Sequence, residues 1–197
     1  MIVKEAEFVL SAAMASQLPK DAIPHIALVG RSNVGKSTLM NALVRRKMAR
    51  TSATPGKTRL LNAYRIRLND GTRYMLVDLP GYGYAGRRDD SGFDALVSGY
   101  FEARREATER TLALMLVDSR HPGLASDLAT RDWVTAEKVV SAVVVTKLDK
   151  LKGAERVRHL REFGTAYQCP LIAVSAERGE GLDTLWTTIR KLLLPLP

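Results

Sequence analysis

Apolar residues recur along this chain in two alternating periods. Residues 26–29 form a short apolar run of strand type, and 38–44 follow with Leu39, Met40 and Leu43 at helical spacing. Leu60, Tyr64, Ile66 and Leu68 then alternate with more polar residues up to Asn69-Asp70-Gly71, and a second apolar run occupies 74–77. Alternation on both sides of an Asp-Gly turn predicts an antiparallel hairpin. Beyond it, strands over 112–117, 139–145 and 171–174 alternate with helices over 127–138 and 154–167. Leu182, Leu185, Trp186, Ile189, Leu192 and Leu193 mark a last helix, ended by Pro195. Strand–helix alternation predicts parallel pairing with right-handed crossovers and helices on both faces. The expected fold is one α/β domain over 25–197, with a six-stranded, mostly parallel sheet carrying one antiparallel hairpin strand. Residues 1–24, closed by Pro19 and Pro24, read as a lead-in packed on that domain, where Phe8, Val9 and Leu10 could add an edge strand.

The turn between the first strand and helix changes this picture most. Gly30-Arg31-Ser32-Asn33-Val34-Gly35-Lys36-Ser37 fits G-x-x-x-x-G-K-[ST] and is followed by Thr38. A strand, a glycine loop and a helix start, in that order, make a phosphate cradle. The glycines let successive N–H groups face one anion, and the helix N-terminus adds the positive end of its dipole. Lys36 supplies charge to the β- and γ-phosphates, and the Ser37 hydroxyl suits Mg²⁺.

Two later stretches extend the site. The hairpin runs into Asp78-Leu79-Pro80-Gly81, where a strand-end aspartate can hold Mg²⁺ through water and Gly81 can offer its N–H to a γ-phosphate. Further on stands Thr146-Lys147-Leu148-Asp149. Guanine presents N1–H and N2–H₂ as adjacent donors that one carboxylate can accept, whereas adenine would leave Asp149 unpaired. Lys147 would lay its stem over the base. After the last strand, Val174-Ser175-Ala176 can place a backbone N–H on guanine O6.

Composition narrows the partners. The 197 residues carry 30 Lys and Arg against 21 Asp and Glu, a net charge of +9, which points to a polyanion. Arg45, Arg46, Lys47 and Arg50 cluster after the first helix, Lys57, Arg59, Arg65, Arg67 and Arg73 follow, and Arg87-Arg88 and Arg104-Arg105 come later. No aromatic-rich basic motif accompanies them, so a folded, phosphate-rich surface is expected rather than base-by-base reading. No apolar run approaches a membrane span, and Lys4, Glu5 and Glu7 disfavour a secretion signal. One cysteine, Cys169, fits a packed thiol in a reducing cytoplasm, and His25, His121 and His159 are too scattered for a metal site.

The phosphate loop, Thr54-Pro55-Gly56-Lys57-Thr58, Asp78-Leu79-Pro80-Gly81-Tyr82-Gly83-Tyr84-Ala85 and Thr146-Lys147-Leu148-Asp149 together resemble the YihA/EngB (YsxC) family of bacterial Ras-type GTPases. That family shares threonine, in place of the usual asparagine, at the position of Thr146. The resemblance implies a Mg²⁺-dependent GTPase that acts in assembly of the large (50S) ribosomal subunit, with effects on cell division and septation. It further implies that Gly56, Lys57, Thr58, Arg59 and Leu60 belong to a loop contacting GTP, with Thr58 joining Ser37 and Asp78 at Mg²⁺. Lys36, Thr58 and Gly81 would be the catalytic contacts. Tyr82 replaces the water-orienting glutamine of many relatives, so slow intrinsic hydrolysis is expected. Asn33 stands where potassium-using GTPases place a K⁺ ligand, the alternative being a hydrogen bond within the loop. The competing readings are an ATP-using P-loop phosphotransferase, a membrane-associated GTPase and a GTPase with a non-ribosomal target. A monomer is the default.

Overall fold

A computed structural model describes residues 1–46, 60–82, 91–105, 107 and 110–193. Among them, seven strands form one sheet: β1 (Val3–Ala12), β2 (His25–Gly30), β3 (Leu61–Leu68), β4 (Arg73–Asp78), β5 (Thr111–Asp118), β6 (Val140–Thr146) and β7 (Leu171–Ala173). Their order is β1-β3-β4-β2-β5-β6-β7. Five helices accompany them: α1 (Lys36–Val44), α2 (Ser91–Arg105), α3 (Ala125–Ala136), α4 (Gly153–Tyr167) and α5 (Leu182–Leu193).

β2 is buried along its whole length and pairs in parallel with β4 on one side and β5 on the other. Side chains of a strand alternate between faces, so β2 feeds two cores. Ile26 and Leu28 join Leu39, Met40 and Leu43 of α1 and Leu185, Trp186 and Ile189 of α5. Ala27 and Val29 join Val97, Tyr100 and Phe101 of α2, Val134 of α3, and Phe163 and Tyr167 of α4. From β2 the chain leaves in both directions, the topological switch at which open α/β sheets bind ligands.

Three differences from the sequence pattern stand out. The sheet has seven strands rather than six, because β1 runs antiparallel along β3 from Val3 opposite Leu68 to Ala12 opposite Leu61. β1 includes Phe8, Val9 and Leu10, which suggest an edge strand, and extends beyond them in both directions; its acids meet the arginines of β3. Arg65 Nη1 bonds Glu7 Oε1 at 2.6 Å and its Nε bonds Asp21 Oδ2 at 3.0 Å, while Arg67 Nε bonds Glu5 Oε2 at 2.8 Å. Arg65 and Arg67 are therefore neutralised within the sheet and leave the basic surface read from sequence. The second difference is α2, where Val97, Tyr100 and Phe101 are buried at helical spacing; Gly92 and Gly99 weaken the local signal. Third, α3 begins and ends two residues before the range expected, stopping where Lys138 enters the left-handed region at φ 55°.

His25 lies buried at the N-terminal end of β2, with Nδ1 3.1 Å from the Tyr100 hydroxyl. Burial, aided by the charge of Arg104, lowers its pKa from 6.5 to about 3. Between those values the unfolded chain binds a proton that the folded chain refuses, so stability falls as pH drops through the window. We expect His25→Asn to flatten the stability-versus-pH slope between 6.5 and 3, measured by denaturant unfolding. An unaltered slope would remove His25 from the acid response.

Candidate functional site

β2 ends at Gly30, where a Cβ would meet Leu116 O at 2.9 Å and Val34 Cγ1 at 2.9 Å, so the loop can close only on glycine. Asn33 at φ 63° and Gly35 at φ 109° turn the backbone through the left-handed region before α1 starts at Lys36. No side chain caps α1, which leaves its first N–H groups and dipole for an anion. Lys36 Nζ folds onto its own loop, donating to Gly30 O at 2.9 Å and Arg31 O at 3.3 Å. Burial lowers its pKa, against the pull of Asp78. Ser37 is half-buried in the first turn, and Thr38 and Asn33 are exposed.

Asp78 ends β4 beside this loop. Its Oδ1 is buried and has no hydrogen-bond partner among the described residues. Burial pushes the carboxyl up to about 6, with Lys36 opposing. An unpartnered, buried carboxylate oxygen next to a phosphate loop suits a hard cation such as Mg²⁺, and the Ser37 hydroxyl could supply a second oxygen. Leu79 and Pro80 are buried. Gly81 packs against the loop so closely that a Cβ would lie 2.8 Å from Ser32 N and 2.9 Å from Lys36 Nζ. Ser32 N–H donates to Tyr82 O at 3.0 Å.

Beyond α1 the loop is joined to β6. The Thr146 hydroxyl lies 2.7 Å from Val34 O and 3.0 Å from Val117 O, one proton serving two buried carbonyls. Lys147, left-handed at φ 57°, reaches Asn33 O at 2.7 Å and Asp118 Oδ2 at 2.9 Å. These contacts leave a cavity of ≈ 200 Å³ whose walls include Gly35, Thr38, Thr146, Lys147, Asp149 and Ala176. Asp149 Oδ1 accepts from the Ser175 hydroxyl at 2.7 Å, and Oδ2 meets Lys150 Nζ at 3.2 Å. Burial would raise its pKa, yet the Ser175 and Lys150 hydrogen bonds keep it below the ordinary carboxylate value. Ser175 N–H is committed to Glu180 O at 3.0 Å, which leaves Ala176 N–H to address a ligand. Leu148 N–H bonds Val174 O at 3.1 Å, which ties the turn carrying Asp149 to the end of β7.

The structure thus gathers Gly30, Lys36, Asp78 and Gly81 at one end, and Gly35, Thr146, Lys147, Asp149 and Ala176 at the other. Gly56, Lys57, Thr58 and Arg59 lie outside the described residues; Leu60, at the edge of β3, is partly exposed. Two aspartates escaped the sequence reading. Asp118 ends β5 as Asp78 ends β4, and that parallel was the available signal; Arg120 and Lys147 hold its carboxylate well below the usual range although burial opposes them. Asp127 in α3 is wholly buried and meets Arg31 Nε at 2.9 Å and the Tyr82 hydroxyl at 3.1 Å.

Residues 25–150 match the family model described as a 50S ribosome-binding GTPase. The probable GTP-binding protein EngB of Heliobacterium modesticaldum is 41% identical over 96% of this chain and 96% of its own length. That of Chlorobaculum tepidum is 42% identical, over 96% and 97%. The chain belongs to the EngB family of GTP-binding proteins. As a member of that family it is a GTPase. The fold agrees: the crystal structure of a probable engB protein superposes with a TM-score of 0.63 at 20% identity, covering 86% of this chain and 98% of that one. Era of Aquifex aeolicus, bound to GDP and AlF₄⁻, reaches a TM-score of 0.72 at 25% identity over 88% of this chain, which spans 57% of the Era chain.

The site must hold its loop against the sheet, and Thr146 does so here. Thr146→Val preserves shape but strands two buried carbonyls, a cost of about 1–3 kcal/mol. Chemical denaturation should show that loss, and nucleotide titration should show weaker binding. A variant as stable and as tight-binding as the parent would contradict the role given to this hydroxyl.

Proposed function

We propose that this GTPase is a guanine-specific, nucleotide-dependent switch acting in assembly of the large ribosomal subunit. The observation that carries guanine selectivity is the ionised Asp149 carboxylate on the wall of the base cavity, steadied by Ser175 and Lys150. Asp149 accepts from guanine N1–H and N2–H₂, Lys147 lays its stem over the ring, and Ala176 N–H donates to O6. The N–H groups of Gly30 to Thr38 and the Lys36 ammonium hold the phosphates. Ser37 and Asp78 hold Mg²⁺, joined by Thr58 when GTP is bound, and Gly81 N–H addresses the γ-phosphate. The bound Mg²⁺ neutralises charge on the phosphate oxygens. Tyr82 has no amide with which to orient water, so intrinsic hydrolysis is slow. The exposed amide of Asn33 is free of hydrogen bonds to the described residues, which suits a K⁺ ligand better than an internal loop bond.

The ribosomal part of the reading draws on charge and on the family. The net charge is +9, and Arg45 and Arg46 are exposed at the end of α1, where they flank the phosphate loop's helix. The matched family model is described as ribosome-binding, and Era has been crystallised with MgGDPNP and nucleotides 1506–1542 of 16S ribosomal RNA. Among the described residues no helix is long and apolar enough to cross a membrane, in keeping with a cytoplasmic site of action. The phosphotransferase alternative gives way, since the relatives are GTP-binding proteins.

Asp149→Asn should weaken GDP and GTP roughly ten- to hundredfold, the worth of hydrogen bonds to a charged group, and admit xanthosine nucleotides whose C2 oxygen accepts from the new amide. Unchanged GDP affinity would overturn the base assignment. Co-sedimentation with large subunits should be tighter in GTP than in GDP and weaken as KCl rises, because neutralised phosphates release counterions. Replacing Arg45, Arg46 and Lys47 by alanine should flatten that salt slope while nucleotide binding persists. Wild-type affinity and slope in the triple variant would move the partner surface elsewhere.

A further inference from the structure

In the nucleotide reading above, the γ-phosphate would lie between the phosphate loop and Gly81, and these two are in close contact. Gly81 is packed against Ser32 N and the Lys36 ammonium, with distances of 2.8 and 2.9 Å from where a Cβ would stand. The Ser32 N–H, which faces the same space, is already bonded to Tyr82 O at 3.0 Å, and Arg31 and Tyr82 pair as a parallel bridge. Lys36 turns back to Gly30 O and Arg31 O. The Ser32 N–H and the Lys36 ammonium, two groups that would face a γ-phosphate, are thus both engaged by the protein.

Besides that backbone pairing, one side-chain oxygen ties the 81–82 strip to the loop. Asp127 Oδ1 accepts from Arg31 Nε at 2.9 Å and from the Tyr82 hydroxyl at 3.1 Å. Asp127 is fully buried, and its Oδ2 has no hydrogen-bond partner among the described residues. Its side-chain donors among the described residues therefore come from the phosphate loop and from the strip that covers it. A buried carboxylate that loses one of two donors is left under-satisfied, so the positions of Arg31 and Tyr82 are tied together.

We infer that Asp127 is a positioning residue that latches Tyr82 over the phosphate loop, so that GTP must break the latch to bind and GDP need not. The inference rests on the nucleotide reading above and extends it to regulation. A ligand that needs a minor conformation binds with its intrinsic affinity reduced by the population of that conformation. The latch therefore sets the preference for GDP over GTP without touching either nucleotide. Tyr82, at the position of a water-orienting glutamine elsewhere, serves here as its bolt.

The test is titration of fluorescent GDP and of a non-hydrolysable GTP analogue on the full chain, for the parent, Tyr82→Phe, Asp127→Asn and the double variant. Tyr82→Phe deletes one hydroxyl and keeps the ring. The latch predicts that the analogue binds about ten- to hundredfold more tightly in each single variant, the worth of one hydrogen bond to a charged group, while GDP affinity changes less than about twofold. The double variant should gain no more than either single one. Amide exchange over residues 31–36 without nucleotide should quicken in Tyr82→Phe, because Ser32 N–H loses its cover. An unchanged ratio of the two affinities, or equal weakening of both nucleotides, overturns the latch. A parent chain that binds neither nucleotide overturns the nucleotide reading itself, and the latch falls with it.

Discussion

The Thr146 hydroxyl and the Lys147 ammonium hold the site together. A loop built on Gly30, Asn33 and Gly35 has conformational freedom to lose, and folding it costs entropy that its own few contacts do not offset. Thr146 offsets part of that cost by bonding Val34 O of the loop and Val117 O of the neighbouring strand at once. Lys147 adds Asn33 O and is itself held by Asp118. The phosphate loop is thereby fixed to the end of β6, from which the chain runs directly on to Asp149. The threonine that departs from the usual asparagine makes this link with a shorter side chain and a single proton.

The sheet supplies the frame for that link. With β2 central and buried on both faces, its C-terminal end and those of β4, β5 and β6 come to one edge. Three acids stand at or near that edge, each in a different state. Asp78 is buried with an unpartnered oxygen and its pKa is raised, which suits a cation. Asp118 is satisfied by Arg120 and Lys147 and acts as a brace. Asp149 is kept ionised by Ser175 and Lys150 and faces the cavity. Same side chain, three environments, three uses: partners and burial divide the work.

Much of this was legible in the sequence because local chemistry and period agreed. The loop's glycines announced turns that the structure places at positive φ or in close contact, and the buried strands read as apolar runs. Where the reading fell short, the information was non-local. Only Phe8, Val9 and Leu10 of β1 suggested a strand, and the rest of it pairs with Glu5 and Glu7 meeting Arg67 and Arg65 about sixty residues away. The same pairs remove two arginines from the basic surface, which no count of charges reveals. α2 is interrupted by glycines, and its burial depends on the face of the sheet it meets. Asp127 looked like the ordinary first-turn acid of a helix; only packing brings it to Arg31 and Tyr82.

The central claim is that one cavity, walled by Lys147, Asp149 and Ala176 and joined to the phosphate loop through Thr146, selects guanine. Calorimetric titration of the nucleotide-free chain with GDP and with ADP, under the same Mg²⁺ and salt, tests it most directly. The account predicts saturable binding of GDP and none of ADP at matching concentrations, because adenine would leave the Asp149 carboxylate without donors. Comparable affinities for the two nucleotides would contradict it.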